Sequence, residues 1–304
     1  MGHPPGVRTL TARAAGSPRR PRELPVPPEL DASIALLRHG ESVFIAENRF
    51  QGQHDTPLTP FGARQAALAA VRLARPTDPP ALPLPATPPI EIAHSPLSRA
   101  AATAMAVANA LAAGRTNSPA AERQPPPVLR PETGLAEIGQ GEWEGLHRDE
   151  VEARYGTILA TWRTRPLEAN APGGERLVDA AVRVRSTLVG VLDRLTDAQG
   201  SDRAAGRPHV AGYPGPADAD RPWTMLVGHD GIFKLVVLSV LGLPIEAFWA
   251  FPFALCGISI LELRAGRGIL RAHNLTEHLA ALETAVGHPR TAAPATSEER
   301  GGGL

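Results

Sequence analysis

The chain has 304 residues, 43% hydrophobic and 20% charged, with 31 Lys+Arg against 31 Asp+Glu and a formal net charge of +0. That is enough for one elaborated α/β domain, and the charge balance excludes a bulk electrostatic attraction to nucleic acid or an anionic membrane. One cysteine, Cys256, excludes an internal disulfide framework and a thiolate-rich metal centre.

Residues 1–30 hold arginines among prolines and lack the apolar core of a secretory signal, so they read as a disordered extension. Ile34 to Leu37 is the first strand, and it ends in Arg38-His39-Gly40. Arg49 to Thr59 is a polar loop. A helix follows, with Thr59 as cap and Ala63, Ala66, Ala67, Ala70, Val71 and Ala74 at helical spacing. Residues 75–89 are proline-rich and read as a surface excursion. Ile90 to Ala93 is a second buried strand, closed by His94-Ser95-Pro96, and Leu97 to Ala113 is an alanine-rich helix with Arg99 in its first turn. A cation there opposes the helix dipole unless an anion binds at the helix start.

A second Pro-rich insertion covers residues 114–127. Val128-Leu129 is a short strand, and Leu135 to Leu146 is too glycine-rich for a helix and reads as a loop carrying Glu137, Glu142, Glu144 and Trp143. Helices are expected over His147 to Trp162 and Glu175 to Leu195, the second burying Leu177, Ala181, Val184, Leu188 and Val191. A third insertion covers residues 201–222. Thr224 to Val227 is a strand ending in Gly228-His229-Asp230-Gly231, with a helix over Ile232 to Leu241. Gly257 to Leu263 and Gly268 to His273 form a strand pair around a turn, an antiparallel margin on an otherwise parallel sheet. Residues 286–304 read as a frayed tail. No repeat divides the chain, so residues 31–285 are expected to form one domain.

Three buried strands therefore end in Arg38-His39, in His94-Ser95 with Arg99 just beyond, and in His229-Asp230. Strand C-termini of an open α/β sheet converge on one edge, where ligands bind. Arginines and histidines gathered there suit a small polyanion, most simply a phosphoryl group. Phosphate-binding glycine motifs, H-E-x-x-H and the G-x-S-x-G elbow are missing from the sequence. His273 and His278 make only a weak metal pair, and no metal or cofactor is expected. Cys256, in Phe253-Ala254-Leu255-Cys256-Gly257-Ile258, reads as core filling.

The blocks Arg38-His39-Gly40-Glu41-Ser42, Arg49 to Gly62, Ser95-Pro96-Leu97-Ser98-Arg99-Ala100, Leu135 to Gly145 and Leu226 to Gly231 occur in the order typical of one family. Together they resemble the histidine phosphatase superfamily, of phosphoglycerate mutase-like fold, over roughly residues 33–273. The resemblance implies a three-layer α/β/α sandwich around a mostly parallel sheet. It implies a metal-independent phosphomonoester hydrolase of the broad-specificity branch, working through a phosphohistidine on a small phosphorylated metabolite such as a sugar phosphate or α-ribazole phosphate. His39 matches the nucleophile, and Arg38, Arg99 and His229, the last protonated with phosphate bound, match the phosphate ligands. Glu137 matches the proton donor, although Glu142 and Glu144 compete for that role by chemistry alone. Trp143 is expected to pack rather than to stack on substrate.

The chain departs from the resembling pattern at Ile45, where asparagine is common, leaving Asn48 as a substitute donor if the loop bends and Ile45 as an apolar wall. Ile45, Asn48 and Gln51 are therefore candidate substrate contacts. Lys234 takes a place often held by arginine and is expected near the site rim. The stretch Leu167 to Glu175 matches the Pro-Gly-Gly-Glu loop of the phosphatase branch rather than the arginine-rich segment of mutases. Phosphoglycerate mutase activity and a weakly active phospho-ligand-binding protein are the competing readings. A cytoplasmic location is expected, and the oligomeric state, a dimer included, is left open.

Overall fold

A computed structural model describes residue 24 and residues 26–115, 126–200 and 221–285. The elements run β1 (Ala32–Arg38), α1 (Val43–Ala46), α2 (Pro60–Ala74), β2 (Glu91–His94), α3 (Ser98–Arg115), β3 (Val128–Pro131), α4 (Arg148–Thr164), α5 (Leu177–Gln199), β4 (Trp223–Gly228), α6 (Asp230–Leu241), β5 (Ile258–Arg264), β6 (Arg267–Leu275) and α7 (Ala280–Ala285). Six strands make one sheet in the order β3-β2-β4-β1-β5-β6. The β3, β2, β4 and β1 strands are mutually parallel, and β5 pairs antiparallel with both β1 and β6. The result is the expected α/β/α sandwich with its antiparallel margin.

The strand β1 is buried on both faces, which is why it reads as a continuous apolar run rather than an alternating one. Successive side chains still point to opposite sides. Ile34 and Leu36 enter a core shared with α5 and α6, while Ala35 and Leu37 enter a second core shared with α2 and α3. Parallel pairing puts Arg38 opposite Gly228 and His94 opposite Val227. The three polar strand ends therefore reach the same sheet edge, as the sequence pattern requires.

Several local expectations are corrected. The helix α2 buries Ala66, Ala69, Ala70 and Leu73 and leaves Val71 exposed, because an alanine-rich sequence carries a weak face signal and Leu73 decides the rotation. In α5 the buried alanine is Ala180, one position before the expected Ala181. The helix starts at Leu177 rather than Glu175, whose side chain is committed to Arg183. The proline-rich 75–89 connection is docked: Leu82 and Leu84 are buried in the second core, and Thr87 C=O accepts the Trp223 indole N–H at 2.7 Å. Leu24, Val26 and Leu30 are buried too, so chain packing begins ahead of residue 31. The remainder of the N-terminal extension, most of the 114–127 and 201–222 insertions, and the 286–304 tail lie outside the described residues. No described helix is long and apolar enough to cross a membrane.

Candidate active site

His39 follows β1 directly, and the turn beyond it is possible because residue 40 is glycine. A Cβ at Gly40 would lie 2.4 Å from the Gly62 carbonyl oxygen of α2. The Gly40 N–H donates to Thr103 Oγ1 at 3.3 Å, and Gly40 C=O lies 2.7 Å from His39 Nδ1. A carbonyl can only accept, so Nδ1 carries the proton and Nε2 keeps its lone pair. His39 is buried, and its pKa is driven well below the usual histidine value by burial and then by Arg99 and Arg38. The ring is therefore neutral, with a nucleophilic Nε2.

The His229 ring meets His39 edge-on, with centroids 4.9 Å apart and planes at 63°. Its Nε2 lies 2.7 Å from Ser95 Oγ. That oxygen already accepts the Leu97 N–H at 3.3 Å, and Nε2 is the acceptor in reach of the hydroxyl proton. Donation from Ser95 to Nε2 is the arrangement that gives both the hydroxyl proton and the ring nitrogen a partner, and it places the His229 proton on Nδ1, which is buried with no partner among the described residues. Burial first, then Arg99 and the other cations, pull the His229 pKa well below its usual value. With its pKa lowered in this way the ring is neutral and presents an N–H; the expected protonation of His229 concerns the phosphate-bound site.

Arg99 lies in the first turn of α3, whose Ser98 N–H is capped by Asp55 Oδ1 at 2.8 Å. The guanidinium is fully buried and donates to the carbonyls of His54 and Gly52 at 2.9 and 2.8 Å. Burial lowers its pKa to about 10, so it remains a cation. Arg38 is tied to the Phe253 carbonyl through Nη1. The Nε atoms of both arginines are buried without partners. Arg38 and Arg99 both act on His39 and the His229 ring touches it, so three of the buried groups without a partner among the described residues belong to its immediate neighbours. An anion with several acceptor oxygens fits them.

Glu137 is buried, with Oε1 accepting the Ile138 N–H at 2.9 Å and Oε2 accepting the Gly231 N–H at 3.3 Å. Burial raises its pKa, with a smaller push from the Asp230 charge. The competing carboxylates are occupied elsewhere. Glu142 accepts from the Tyr155 hydroxyl at 2.8 Å, and Glu144 Oε1 accepts the N–H groups of Gln53 and Gln140, each at 2.9 Å. Trp143 is buried against Phe50 and packs as expected.

The three candidate substrate contacts separate. Gln51 is buried, its Oε1 accepting hydroxyls of Ser42 and Thr56 at 2.5 and 2.7 Å, and it braces the loop after β1. Asn48 is exposed at φ 54, a left-handed position asparagine tolerates, with its N–H on Ile45 C=O and its C=O taking the Arg148 N–H. That accounts for Asn48 without a ligand. Ile45 is half-buried on α1, beside Phe44, which stacks on His54 at 4.8 Å. Lys234 is not at the rim but buried within α6. His273 and His278 bond separately, to Ser259 and to Cys256 C=O, and no cluster of ligating side chains suited to a metal occurs among the described residues. Cys256 is core filling, its thiol pushed up to about 12 by burial.

Ser95, expected at one of the polar strand ends, proves to be the partner of His229 Nε2. Arg183 lies on α5, remote in sequence, yet it donates to the carbonyls of Gly134, Ala136 and Glu137 while paired with Glu175 at 2.6 Å. Glu175 in turn accepts the Gly139 N–H, so Arg183 and Glu175 brace the loop carrying Glu137. An arginine on an otherwise amphipathic helix gives no signal of this in one sequence.

The model of the histidine phosphatase superfamily (branch 1) matches residues 34–201 and 216–276, well over half of the chain. The chain belongs to the histidine phosphatase superfamily. The glucosyl-3-phosphoglycerate phosphatase of Mycolicibacterium vanbaalenii is 30% identical over 213 residues, covering 70% of this chain and 76% of that protein. A 2,3-bisphosphoglycerate-dependent phosphoglycerate mutase 2 of Gloeobacter violaceus is 33% identical over 154 residues, covering 50% of this chain and 59% of the other. The solved structure of mycobacterial glucosyl-3-phosphoglycerate phosphatase with VO3 superposes with TM-score 0.61 at 25% identity, covering 80% of this chain and 98% of that one. This histidine phosphatase is a phosphomonoester hydrolase by family.

Proposed function

We propose that hydrolysis proceeds through a phosphohistidine on His39. His39 Nε2 attacks the phosphorus, forming an N–P bond as the ester P–O bond breaks. The Glu137 carboxyl delivers its proton to the leaving oxygen, so an alcohol departs. Its carboxylate then takes a proton from water, whose oxygen attacks phosphorus and breaks the N–P bond. Inorganic phosphate and the starting His39 are regenerated. Arg38, Arg99 and the Nδ1–H of His229 hold the nonbridging oxygens throughout.

The observation that carries this reading is the set of three orphaned buried donors around a neutral histidine with a free Nε2 lone pair. The raised pKa of Glu137 supports its role, since the acid must hold a proton when the ester bond breaks. The 167–175 loop supports hydrolysis over mutase chemistry. It contributes Glu175 and the Pro172 carbonyl to bracing Gly139 and Glu142, and its sequence holds no arginine for a second anionic group. The names of the relatives put sugar-linked phosphoglycerates first in a substrate screen, with Ile45 offering an apolar wall to the alcohol.

The experiment is hydrolysis of a phosphorus-labelled aryl phosphate in chelator by the wild type and His39→Ala, with quench in alkaline denaturant, where the N–P bond survives, to trap a labelled phosphohistidine. Turnover and label in the wild type alone are expected. Equal turnover in both proteins would sink the nucleophile assignment. Interconversion of 2- and 3-phosphoglycerate faster than phosphate release would replace hydrolysis by the mutase reading.

A further inference from the structure

Asp230 and Lys234 stand one helical turn apart on α6 and do none of the chemistry above. A lysine is seldom buried unless paired. Lys234 Nζ lies 2.6 Å from Asp230 Oδ2, beneath the rings of Trp249 and Phe248 at 4.5 and 5.3 Å. Asp230 Oδ1 accepts the Phe253 N–H at 3.0 Å, and the carbonyl of the same Phe253 accepts from Arg38 Nη1. The backbone between two bonded groups thus connects a buried ion pair to a phosphate-site arginine. Burial opposes the Asp230 charge, but Lys234 and Arg38 outweigh it and hold the carboxylate below its usual range. The other titratable groups facing Asp230 are Glu137 and His273.

We infer that Lys234 and Asp230 are a positioning pair for the phosphate clamp: Asp230 anchors the Phe253 peptide that aims Arg38, and Lys234 keeps the Asp230 carboxylate from turning onto the Arg38 guanidinium. The inference rests on the reading of Arg38 as a phosphate ligand. Two cations, Lys234 and Arg38, compete for one carboxylate. With Lys234 present, Asp230 is satisfied at 2.6 Å and the Arg38 Nε stays unpartnered for the substrate. Without Lys234, the cation that still acts on the buried, unpaired carboxylate is Arg38. The pair sets the availability of the clamp, not only the stability of α6.

The test is the inhibition constant for inorganic phosphate during aryl phosphate hydrolysis, measured for the wild type, Lys234→Met and Lys234→Met/Asp230→Asn, with the melting temperature of each. Lys234→Met is expected to weaken phosphate binding by at least about tenfold. The double variant removes the competing charge yet keeps an Oδ1 acceptor for the Phe253 N–H, and is expected to return within about threefold of wild type. A merely structural role predicts the opposite sign, a second loss added to the first. Unchanged phosphate affinity in Lys234→Met, or no recovery in the double variant, overturns the inference. Should Lys234→Met not fold, Asp230→Ala takes its place: it cuts the Phe253 tether and is expected to cost about tenfold, and unchanged affinity overturns the inference. A wild type that neither turns over nor binds phosphate instead defeats the reading of the site itself.

Discussion

Ser95→Ala tests the hydrogen-bond logic of the pocket most directly. The hydroxyl lies 2.7 Å from His229 Nε2 and fixes the His229 proton on Nδ1. Without it, Nε2 is a buried ring nitrogen with no acceptor role to fill, and the ring can carry its proton there instead. Nδ1 then turns a lone pair toward the phosphate oxygens. Losing one donor to a charged oxygen costs about 1.5–3 kcal/mol. That converts to a fall of about 10- to 150-fold in kcat/KM, with kcat falling where the bond strengthens in the transition state. The pH dependence supplies a second signature. In the wild type the neutral ring donates, so acidification brings no gain from His229. In Ser95→Ala only the imidazolium has an Nδ1–H secured, so the relative loss shrinks as pH falls and the suppressed His229 pKa is approached. Aryl phosphate kinetics from pH 5 to 8, with nitrogen chemical shifts of the His229 ring, provide the assay. Wild-type kcat/KM with an unchanged Nδ1–H tautomer would refute the reasoning.

Three further outcomes are expected. Glu137→Gln removes the proton donor, so rates on alkyl phosphates fall far more than on aryl phosphates, and the alkaline limb of kcat, set by the raised Glu137 pKa, disappears; equal losses on both substrates count against the assignment. Gly40→Ala drives a methyl to 2.4 Å from Gly62 C=O. Its melting temperature should drop by several degrees, corresponding to about 1–3 kcal/mol of overpacking, and a silent substitution means that the turn gives freely. Arg183→Leu strips donors from three carbonyls around Glu137 and should lower kcat about tenfold while leaving the phosphate inhibition constant near wild type, because Arg38, Arg99 and His229 are untouched; a matching loss of phosphate affinity would place Arg183 in the clamp.

The sheet edge was legible because the signal is local: a four-residue apolar run followed by Arg38-His39, and again by His229-Asp230, needs only the strand period to place its polar end. Glu137 was separable from Glu142 and Glu144 only by resemblance, since burial and partner choice decide among them and neither is written in a glycine-rich loop. The tautomer of His229 depends on Ser95, 134 residues away, and the brace on Glu137 depends on Arg183. Contacts across such distances leave no period to read. Lys234 was misplaced for a related reason. A place often held by arginine in the resembling family suggested a rim, whereas the i,i+4 pairing with Asp230 and the aromatic rings of Phe248 and Trp249 make a buried position tolerable.

The orphaned donors also fix how ligand and stability are coupled. Arg38 Nε, Arg99 Nε and His229 Nδ1 are desolvated by the fold whether or not phosphate is present, and each such group costs about 1–3 kcal/mol while unsatisfied. A tetrahedral oxyanion bound there gives these donors partners that the unfolded chain does not hold in place. Inorganic phosphate should raise the melting temperature, with a gain of about 2.7 kcal/mol at a hundred times its dissociation constant. His39→Ala should retain most of that gain although it turns over nothing, because the nucleophile is not among the orphaned groups. Sulfate, a tetrahedral dianion but a weaker base and hydrogen-bond acceptor than the phosphate dianion, should stabilise less, because the Nδ1–H of His229 and the Arg38 and Arg99 donors favour the stronger acceptor. A melting temperature indifferent to phosphate in both proteins would mean that the three donors are satisfied in the empty site by ordered water, and the case for a built phosphate site would fail with it.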